Sequence, residues 1–404
     1  MSSPSPLNVV VAGGGVAGLE ALLTLHALAG NRVRLTLVGP DPEFAYRPLA
    51  VAEPFGLGKA YRVPLERFAE ATGAELVLEA VEGVEETGDA VRLRDGGSRA
   101  FDALVLAPGG RAVAGMEGGG TWWPGGDAEH LGGLLRDVEE GYTKRLAVVV
   151  PPGPVWPLPA YELALMTAGE AREMGQDDVE ITVVTPERMP LAVFGDEASA
   201  ATAEELRAAG VAVKTGVVAR AEHGGLVCEP GGEHVAVDRI LAVPRVVGPG
   251  FVGVPADEDG FIRTADHGHV EGFERVWAAG DGIVSSLKFG ALATHQARAA
   301  AAAIARLAGA SDVPDPGDPV LHGRLLVGHR SHPLGGGGEG IAAPLWWPAG
   351  KVAGEYLPRW LTEHGVAPPS EEEPPESGIV VRRTLRAVDA ETQYLRELVR
   401  QFRP

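Results

Sequence analysis

The chain has 404 residues, 45% of them hydrophobic, which is long enough for two or three domains with sizeable cores. It carries 35 Lys and Arg against 55 Asp and Glu, and this net charge of −20 argues against nucleic acid or an anionic membrane surface as a partner. The single cysteine, Cys228, excludes an intrachain disulfide, a redox dithiol pair and a multi-cysteine zinc site.

The first predicted elements enclose a glycine-rich turn. Val9–Val11 is a β-branched run typical of a buried parallel strand, and Val16–Leu28 is an apolar, helix-forming segment. Gly13, Gly15 and Gly18 follow G-x-G-x-x-G spacing. Such glycines allow a tight turn, a close approach of the backbone to a pyrophosphate, and close packing of helix on strand. The helix N-terminus then offers free N–H groups to the phosphates, so this stretch predicts a dinucleotide site.

The second predicted strand, Arg32–Val38, ends without the carboxylate that usually holds a ribose about 20 residues past the glycines. Gly39 stands there, so either Asp41 reaches the ribose from the following turn or the adenosine end is held differently. Phe44–Leu49 is predicted to be a rigid aromatic and basic loop containing Arg47. Further predicted elements are a short helix at Tyr61–Glu70 and strands at Glu75–Leu78, Ala90–Leu93 and Phe101–Gly109, the last ending in a glycine turn.

A second β-α-β half begins at Lys144–Val150, but its turn departs from the glycine pattern. Pro151–Pro157 reads PPGPVWP, and prolines lack N–H donors, while Trp156 fills the space by the helix. A second pyrophosphate would therefore find few donors and little room. The elements predicted after it are a helix at Tyr161–Glu173, a strand at Glu180–Val184, a helix at Glu197–Ala209 and a strand at Val211–Lys214.

The late part of the chain returns to the first half through Arg239–Pro244. Val276–Asp281 is predicted to be a strand, a glycine turn and an acid, and it precedes Lys288–Gly290 and an Ala-rich helix at Ala291–Ala308. We expect an α/β protein with two Rossmann-like three-layer domains, the second inserted in the first, plus a C-terminal extension. The predicted domains are 1–112 with 245–320, 113–244, and 321–404.

The C-terminal region is predicted to contain less regular structure. Its features are a linker at Ser311–Pro319, the Gly335–Gly338 run, Trp346–Trp347, a solvated linker at Ser370–Ser377 and a final amphipathic helix at Glu391–Phe402. We expect that helix to pack on the body or to form a homodimer contact, with docking on a membrane as the alternative. His322, His329 and His332 lack acid or cysteine partners in ligand spacing, so no metal site is predicted.

The predicted location is the cytoplasm, with peripheral contact at the inner face of the membrane as the alternative. The first residues, MSSPSPLN, lack the basic and apolar regions of a signal peptide. No run of roughly 18 uncharged apolar residues is present to span a bilayer.

Together these segments resemble the flavoproteins with two dinucleotide-binding domains, the FAD-dependent pyridine nucleotide-disulfide oxidoreductases. The similarity is to the branch of sulfide:quinone oxidoreductases and type II NADH dehydrogenases, over roughly residues 8–310. VVVAGGGVAGLEAL, FDALVLAPG, VWAAGD and LKFGALATHQARAAAAAI carry it. The resemblance implies FAD as cofactor, with Asp281 at the ribityl–phosphate region, Ala107–Gly109 as the Ala-Thr-Gly-like turn and the Val81 backbone by the adenine.

This chain departs from that branch in its chemistry. Sulfide:quinone oxidoreductases take up sulfur on cysteines, and Trp156 stands about where one of these would be. Persulfide chemistry needs a thiolate near the flavin, and we expect Cys228 to be an inert buried thiol on a strand. Sulfide oxidation is therefore not expected. NADH oxidation is not expected either, because the altered Pro151–Pro157 turn is the nucleotide site.

Three residues are predicted to act at the flavin. Lys288 would add positive charge beside the helix start or hydrogen-bond a quinone-like acceptor, while a surface lysine is the alternative. Trp156 and Tyr161 would wall the substrate pocket, with core packing as the alternative. The predicted cofactor-binding residues are Gly13, Gly15, Val16, Ala17, Gly18, Asp41, Arg47, Pro48, Val81, Ala107, Pro108, Gly109, Gly280, Asp281, Lys288 and Gly290.

The functional prediction is an FAD-dependent oxidoreductase that passes electrons from a small donor to a quinone-like or other acceptor. An NAD(P)H dehydrogenase with an atypical nucleotide site is one alternative. A flavin-binding redox sensor or scaffold without turnover is the other.

Overall fold

The described part of the chain contains both helices and strands. The computed structural model describes residues 5–58, 60–126, 128–285, 287–317, 323–328, 330–334, 354–366 and Glu397. Its helices are α1 (Val16–Ala29), α2 (Leu65–Thr72), α3 (Ala128–Glu139), α4 (Leu158–Glu173), α5 (Asp196–Ala208), α6 (Gly290–Leu307) and α7 (Leu357–Glu363). Short 3₁₀ helices lie at Gly30–Arg32, Ala50–Phe55, Ala192–Phe194 and Asp266–Gly268.

The strands of the first half are β1 (Leu7–Ala12), β2 (Val33–Val38), β3 (Glu43–Tyr46), β4 (Tyr61–Pro64), β5 (Glu75–Val77), β6 (Val81–Val84), β7 (Ala90–Leu93), β8 (Ser98–Ala100), β9 (Ala103–Leu106), β10 (Arg111–Val113) and β11 (Gly120–Thr121). Those that follow are β12 (Arg145–Val149), β13 (Glu180–Val184), β14 (Ala212–Lys214), β15 (Val218–Glu222), β16 (Gly225–Glu229), β17 (Glu233–Ala236), β18 (Arg239–Ala242), β19 (Arg245–Val247), β20 (Val276–Ala278), β21 (Gly323–Val327) and β22 (Arg330–Leu334).

Two five-stranded parallel sheets organise these elements. The first has the order β20-β9-β1-β2-β5, and the second has the order β11-β18-β12-β13-β14. Their central strands are almost wholly buried, since Val9–Ala12 and Leu146–Val149 are apolar runs covered on both faces. Continuous burial of this kind is typical of parallel sheets with helices on their faces, and the α/β class predicted from the sequence is confirmed.

The two sheets are joined by an antiparallel ribbon of β10 and β19. The elements around each five-stranded sheet form a unit. The first unit also carries the three-stranded antiparallel sheet β6-β7-β8, and the second unit carries β15-β16-β17. The boundaries predicted at 112/113 and 244/245 fall in and beside the ribbon, and the domain division itself stays a prediction.

Small side chains let α6 pack closely against α1. Ala297, Ala300 and Ala301 of α6 are fully buried in the same core as Leu22 and Leu25 of α1. This packing fixes the N-terminal ends of both helices at the carboxyl edge of the first sheet.

One predicted helix is wrong over its first half. Within Tyr61–Glu70, the first four residues form β4, which pairs with β3 in the stretch expected to be a loop. Pro64 explains the change, because the residue before a proline is pushed toward extended backbone and the helix can begin only after it. By contrast, α4 begins at Leu158, earlier than predicted, since Pro157 and Pro159 fit the first turn of a helix.

Several C-terminal predictions lie outside the described residues. They concern Gly335–Gly338, Trp346–Trp347, Ser370–Ser377, the helix at Glu391–Phe402 apart from Glu397, and the side chains of His322, His329 and His332. Among the described helices, none combines the length and apolar composition that crossing a bilayer requires.

Replacing Gly18 by alanine should damage the fold at its centre. A Cβ at this position would lie 1.8 Å from the Gly13 carbonyl oxygen, which is backbone and cannot rotate away. We expect Gly18→Ala to lower the free energy of unfolding by about 3 kcal/mol, measured by urea denaturation. The matched control is Gly169→Ala in α4, where a Cβ meets nothing within 4 Å. This substitution should raise the free energy of unfolding by about 0.5–1 kcal/mol. Equal stability of Gly18→Ala and the wild type would contradict this account.

Candidate functional site

The glycine turn after β1 contains two different kinds of glycine. Gly13 has φ +132°, and a Cβ there would lie 2.0 Å from the Ala107 carbonyl oxygen. A Cβ on Gly18 would strike Gly13, so both of these glycines are required by the polypeptide itself. Gly15 has ordinary backbone angles and a Cβ there would meet nothing within 4 Å. The space beside Gly15 is therefore left for something other than the chain.

That space belongs to a cavity of about 760 Å³ at the carboxyl ends of the parallel strands. Ala12, Val38 and Ala107 follow or end β1, β2 and β9, and all three line it. Ligands of doubly wound sheets bind at this edge. The first turn of α1 also lies in the wall, and its backbone N–H groups have no intrahelical partner, so they suit a pyrophosphate.

The structure brings most of the predicted site residues to this one cavity. Those in its wall are Gly13, Gly15, Val16, Ala17, Asp41, Arg47, Pro48, Val81, Ala107, Pro108, Gly109, Trp156, Gly280, Asp281, Lys288 and Gly290. Gly18 lies behind the turn, where it packs on Gly13. Tyr161 does not line the cavity.

Sequence reasoning missed other wall residues. They include Glu43, Arg62, Arg94, Trp122, Glu162 and Phe289. Arg62 and Arg94 lie in or beside short antiparallel strands without any local motif. Phe289 had a signal, because it sits between Lys288 and Gly290 at the start of the Ala-rich helix.

Two acids line the cavity between the end of β2 and the start of β3. Gly39 is buried, and a Cβ there would lie 3.4 Å from the Gly14 nitrogen, in van der Waals contact with the glycine turn. Asp41 and Glu43 both line the cavity instead, and a Glu43 carboxylate oxygen lies 3.9 Å from an Arg62 guanidinium nitrogen. Contact between Asp41 and a ribose stays a prediction.

The late motif supplies paired charges and a helix start. Lys288 is only 3% exposed, its Nζ donates to the Ile283 carbonyl at 2.8 Å and it lies 3.7 Å above the centre of the Phe261 ring. Burial raises the pKa of Asp281, and the nearby Lys288 ammonium opposes that rise. The first residue of α6, Gly290, lies in the same wall, so the positive end of that helix faces the cavity.

The corresponding turn of the second unit is closed by prolines and aromatic rings. Pro157 is the N-cap of α4 and Pro159 lies at its second position, so two potential N–H donors are missing. Trp156 stacks on Phe289 with ring centres 4.4 Å apart and a 20° interplanar angle. Phe194 meets Trp156 edge-on at 5.9 Å. The start of α4 therefore presents an aromatic wall in place of a phosphate cradle.

The position of Tyr161 argues against the predicted role as a pocket wall. It is fully buried in the second core, and its hydroxyl donates to the Glu187 carboxylate at 2.5 Å. Burial, and then the Glu187 charge, raise the pKa of Tyr161 well above its usual value. Thr185 donates to the same Glu187 oxygen at 3.0 Å. Helix packing decides this, because Tyr161 lies on the sheet side of α4 while Glu162 reaches the cavity.

Glu187 is the buried acid that follows β13 in the second unit. It lies three residues after Val184, the last residue of β13, near where a Rossmann unit holds the adenosine ribose. It is buried and bonded to Tyr161 and Thr185. Its carboxylate therefore already accepts hydrogen bonds from side chains of the protein core.

Cys228 lies in the second unit away from the cavity. It is on β16, it is 1% exposed, and it packs with Val149 and Leu226. Burial raises the pKa of its thiol, with Lys214 opposing the shift. The expected buried thiol on a strand is confirmed.

The chain has relatives among known protein families. Over residues 7–304 it matches the family described as pyridine nucleotide-disulphide oxidoreductase. The chain belongs to that family. Its residues fit FAD as a cofactor, since the open space at Gly15 and the backbone donors at the start of α1 suit the pyrophosphate of FAD.

Its relatives include sulfide-quinone reductases. It is 31% identical to the sulfide-quinone reductase of Aquifex aeolicus (strain VF5) over 186 residues, which are 45% of this chain and 43% of that protein, so the match spans less than half of the relative's length. The solved sulfide:quinone oxidoreductase of Aquifex aeolicus superposes with a TM-score of 0.68 at 19% identity, covering 80% of this chain and 81% of that one. A ferredoxin reductase from Rhodopseudomonas palustris superposes with a TM-score of 0.59 at 19% identity, covering 83% of this chain and 84% of that one. At these identities the solved structures show a shared fold.

Placing a methyl group at Gly15 should separate folding from cofactor binding in this protein. Gly15→Ala has room in the polypeptide but intrudes on the space where the pyrophosphate approaches the backbone. We expect a free energy of unfolding for the FAD-free chain within about 0.5 kcal/mol of the wild type. Affinity for FAD, measured by flavin fluorescence titration, should fall about 10- to 100-fold, a loss of about 1.4–2.8 kcal/mol. Undiminished FAD affinity would contradict the placement of the pyrophosphate.

The Cys228 thiol should be unreactive in the folded protein. Its raised pKa keeps it protonated at pH 8, and burial blocks the reagent. We expect iodoacetamide to alkylate less than about a tenth of the thiol in an hour at pH 8, and one thiol per chain in denaturant, by mass spectrometry. Reaction should rise only at more alkaline pH, because the thiolate forms above the raised pKa. Rapid alkylation of native protein at pH 7 would contradict the inert assignment.

Proposed function

We propose that this enzyme passes electrons from a small donor other than NAD(P)H to a quinone-like or other acceptor through FAD. The carrying observation is the shape of the cavity. It runs from the glycine turn at Gly13–Gly15 to the stacked rings of Trp156 and Phe289 at the start of α4. A dinucleotide bound at the first end would place its redox-active ring toward the second.

The second unit supports the exclusion of NAD(P)H as donor. Pro157 and Pro159 remove donors from the first turn of α4, and Trp156 occupies the space before it. Glu187 is bonded within the core by Tyr161 and Thr185. Both ends of a pyridine nucleotide site, the phosphate turn and the ribose acid, are thus used for other contacts.

Sulfide is disfavoured as donor because the required thiol is absent from the cavity. Cys228 is the single cysteine of the chain, and it is buried on β16 in the other core of the second unit. Covalent uptake of sulfur needs an accessible thiolate beside the flavin. The name of the Aquifex relative therefore suggests the acceptor for this chain more than the donor.

A planar apolar acceptor suits the α4 end of the cavity. Trp122, Trp156 and Phe289 present aromatic surface there, and Leu158 and Pro159 add aliphatic surface. Aromatic pairs favour stacked or edge-on contact with another ring. The flavin supplies the two-electron chemistry, while these residues would orient the acceptor and exclude water.

The charged groups of the wall would serve the cofactor more directly than the acceptor. Lys288 is held by the Ile283 carbonyl and the Phe261 ring, beside Asp281. Together with the positive end of α6 it would favour negative charge on the nearby ring system. We propose that Lys288 acts on the potential of the flavin. Contact at the inner face of a membrane and a homodimer stay predictions, since the final helix lies outside the described residues apart from Glu397.

Anaerobic titration of the purified holoenzyme tests the donor assignment. NADH or NADPH at 100-fold excess should leave the flavin absorbance unchanged, because their site is blocked, while dithionite should bleach it. Bleaching at micromolar NADH or NADPH would establish the NAD(P)H dehydrogenase alternative. A protein whose reduced flavin is reoxidised by no quinone would favour a sensor or scaffold.

Reoxidation of the dithionite-reduced enzyme tests the acceptor end. Trp156→Ala should slow reoxidation by a short-chain quinone about 10-fold and leave reoxidation by ferricyanide unchanged, since only the planar acceptor uses the stack. Trp123→Ala is the matched control, because Trp123 is exposed and does not line the cavity. Equal slowing of both oxidants by Trp156→Ala would point to a general structural defect instead.

A further inference from the structure

Two fully buried glutamates occupy equivalent positions in the two units. Glu20 lies four residues after the start of α1, and Glu162 lies four residues after the start of α4. Each helix follows the first strand of its sheet's β-α-β unit, and both glutamates are 0% exposed. A buried carboxylate needs hydrogen-bond donors to offset its loss of hydration.

Glu20 finds its donors in the segment 354–366. Its Oε1 accepts the backbone N–H groups of Glu355 and Tyr356 at 2.9 and 3.2 Å, and its Oε2 accepts that of Leu357 at 2.7 Å. These N–H groups precede and begin α7, so Glu20 caps that helix from α1. Arg298 of α6 interacts with both acids. Its Nε lies 3.9 Å from Glu20 Oε1, and its Nη1 lies 2.8 Å from Glu355 Oε2.

Glu162 finds a donor in β21, which also follows α6 in the chain. Its Oε1 accepts the backbone N–H of Leu326, in β21, at 2.9 Å. Unlike Glu20, Glu162 also lines the cavity. The hairpin of β21 and β22 is therefore attached directly to the wall at the proposed acceptor end.

The hairpin also touches the aromatic wall by packing. A Cβ added to Gly323 would lie 2.8 Å from the tip of the Phe194 ring, so the strand runs directly over that ring. Phe194 in turn meets Trp156 and Phe289 edge-on, at 5.9 and 5.8 Å. Movement of the hairpin would release Phe194 and with it the support of the stack.

We propose that the β21–β22 hairpin and residues 354–366, together called the strap, are fastened to the two units by this pair of glutamates. Glu162 is a positioning residue, which holds β21 over Phe194 and so closes the redox end of the cavity. Glu20 fastens the far end of the strap at α7. The strap is a device of this chain's own residues and does not depend on which donor or acceptor the enzyme uses.

Amide hydrogen exchange of the holoenzyme tests the two fastenings separately. Glu162→Leu removes the acceptor of the Leu326 N–H. Amide exchange in the peptide 323–328 should therefore rise about 10- to 100-fold, which corresponds to the free energy of one hydrogen bond to a charged group. Glu162→Gln keeps an oxygen for Leu326 and should restore most of the protection. Glu20→Gln offers one oxygen to three donors, so exchange should rise in the peptide 354–361. Glu173→Leu, an exposed position on the same helix as Glu162, is the matched control.

Access to the flavin tests the closing role. Iodide should quench flavin fluorescence several-fold more strongly in Glu162→Leu than in the wild type or Glu173→Leu. Should Glu162→Leu fail to fold, Leu326→Pro removes the same N–H from the strap side and leaves α4 intact. It should give the same gain in quenching. Unchanged quenching in a folded Glu162→Leu or Leu326→Pro protein, or loss of protection in Glu162→Gln equal to that in Glu162→Leu, would overturn the proposal.

Discussion

Close backbone contact at the start of α1 is the constraint on which the rest of this structure depends. Gly18 lies against the Gly13 carbonyl, and Gly13 lies against the Ala107 carbonyl, at distances that allow no side chain. The contact holds β1, β9 and α1 together, so the carboxyl ends of the parallel strands open onto one cavity. The donors presented there are backbone N–H groups, which keep their position and hydrogen-bonding capacity whatever the side-chain rotamers or the pH.

The second unit keeps the topology of the first and uses its parts differently. Its parallel sheet and α4 correspond to the sheet and α1 of the first unit, but prolines replace the glycine turn and an aromatic stack fills the space before α4. Glu187, placed where a ribose acid would be, is bonded to Tyr161 in the core. In this family member the second unit therefore supplies one wall of the cavity, consistent with our proposal that it does not bind its own nucleotide.

Nearby groups compensate two acids in buried surroundings, Glu20 and Asp281. Burial raises the pKa of Glu20, while three backbone N–H groups and Arg298 lower it and favour the ionised form. Asp281 is balanced in the same way by Lys288. An isolated charge would cost several kcal/mol in such surroundings, so each pair restricts the arrangement of the segments that carry it. For Glu20 these segments are α1, α6 and α7, which lie far apart in the sequence.

Local patterns in the sequence were sufficient to predict the glycine turn, the apolar parallel strands, the Ala-rich helix and the proline-blocked second turn. Each is determined by residues that are neighbours along the chain, through backbone sterics and hydrophobic periodicity. The β3–β4 ribbon, the inward direction of Tyr161 and the cavity-facing direction of Glu162 were not predictable in this way. Adjacent helix residues point about 100° apart, and only the packing of α4 between its sheet and the strap decides which of the two reaches the cavity. The sequence by itself thus determined the family and its FAD cofactor. Tertiary packing decided which side chains surround the cavity, because contacts such as that of Glu162 with Leu326 join segments more than a hundred residues apart.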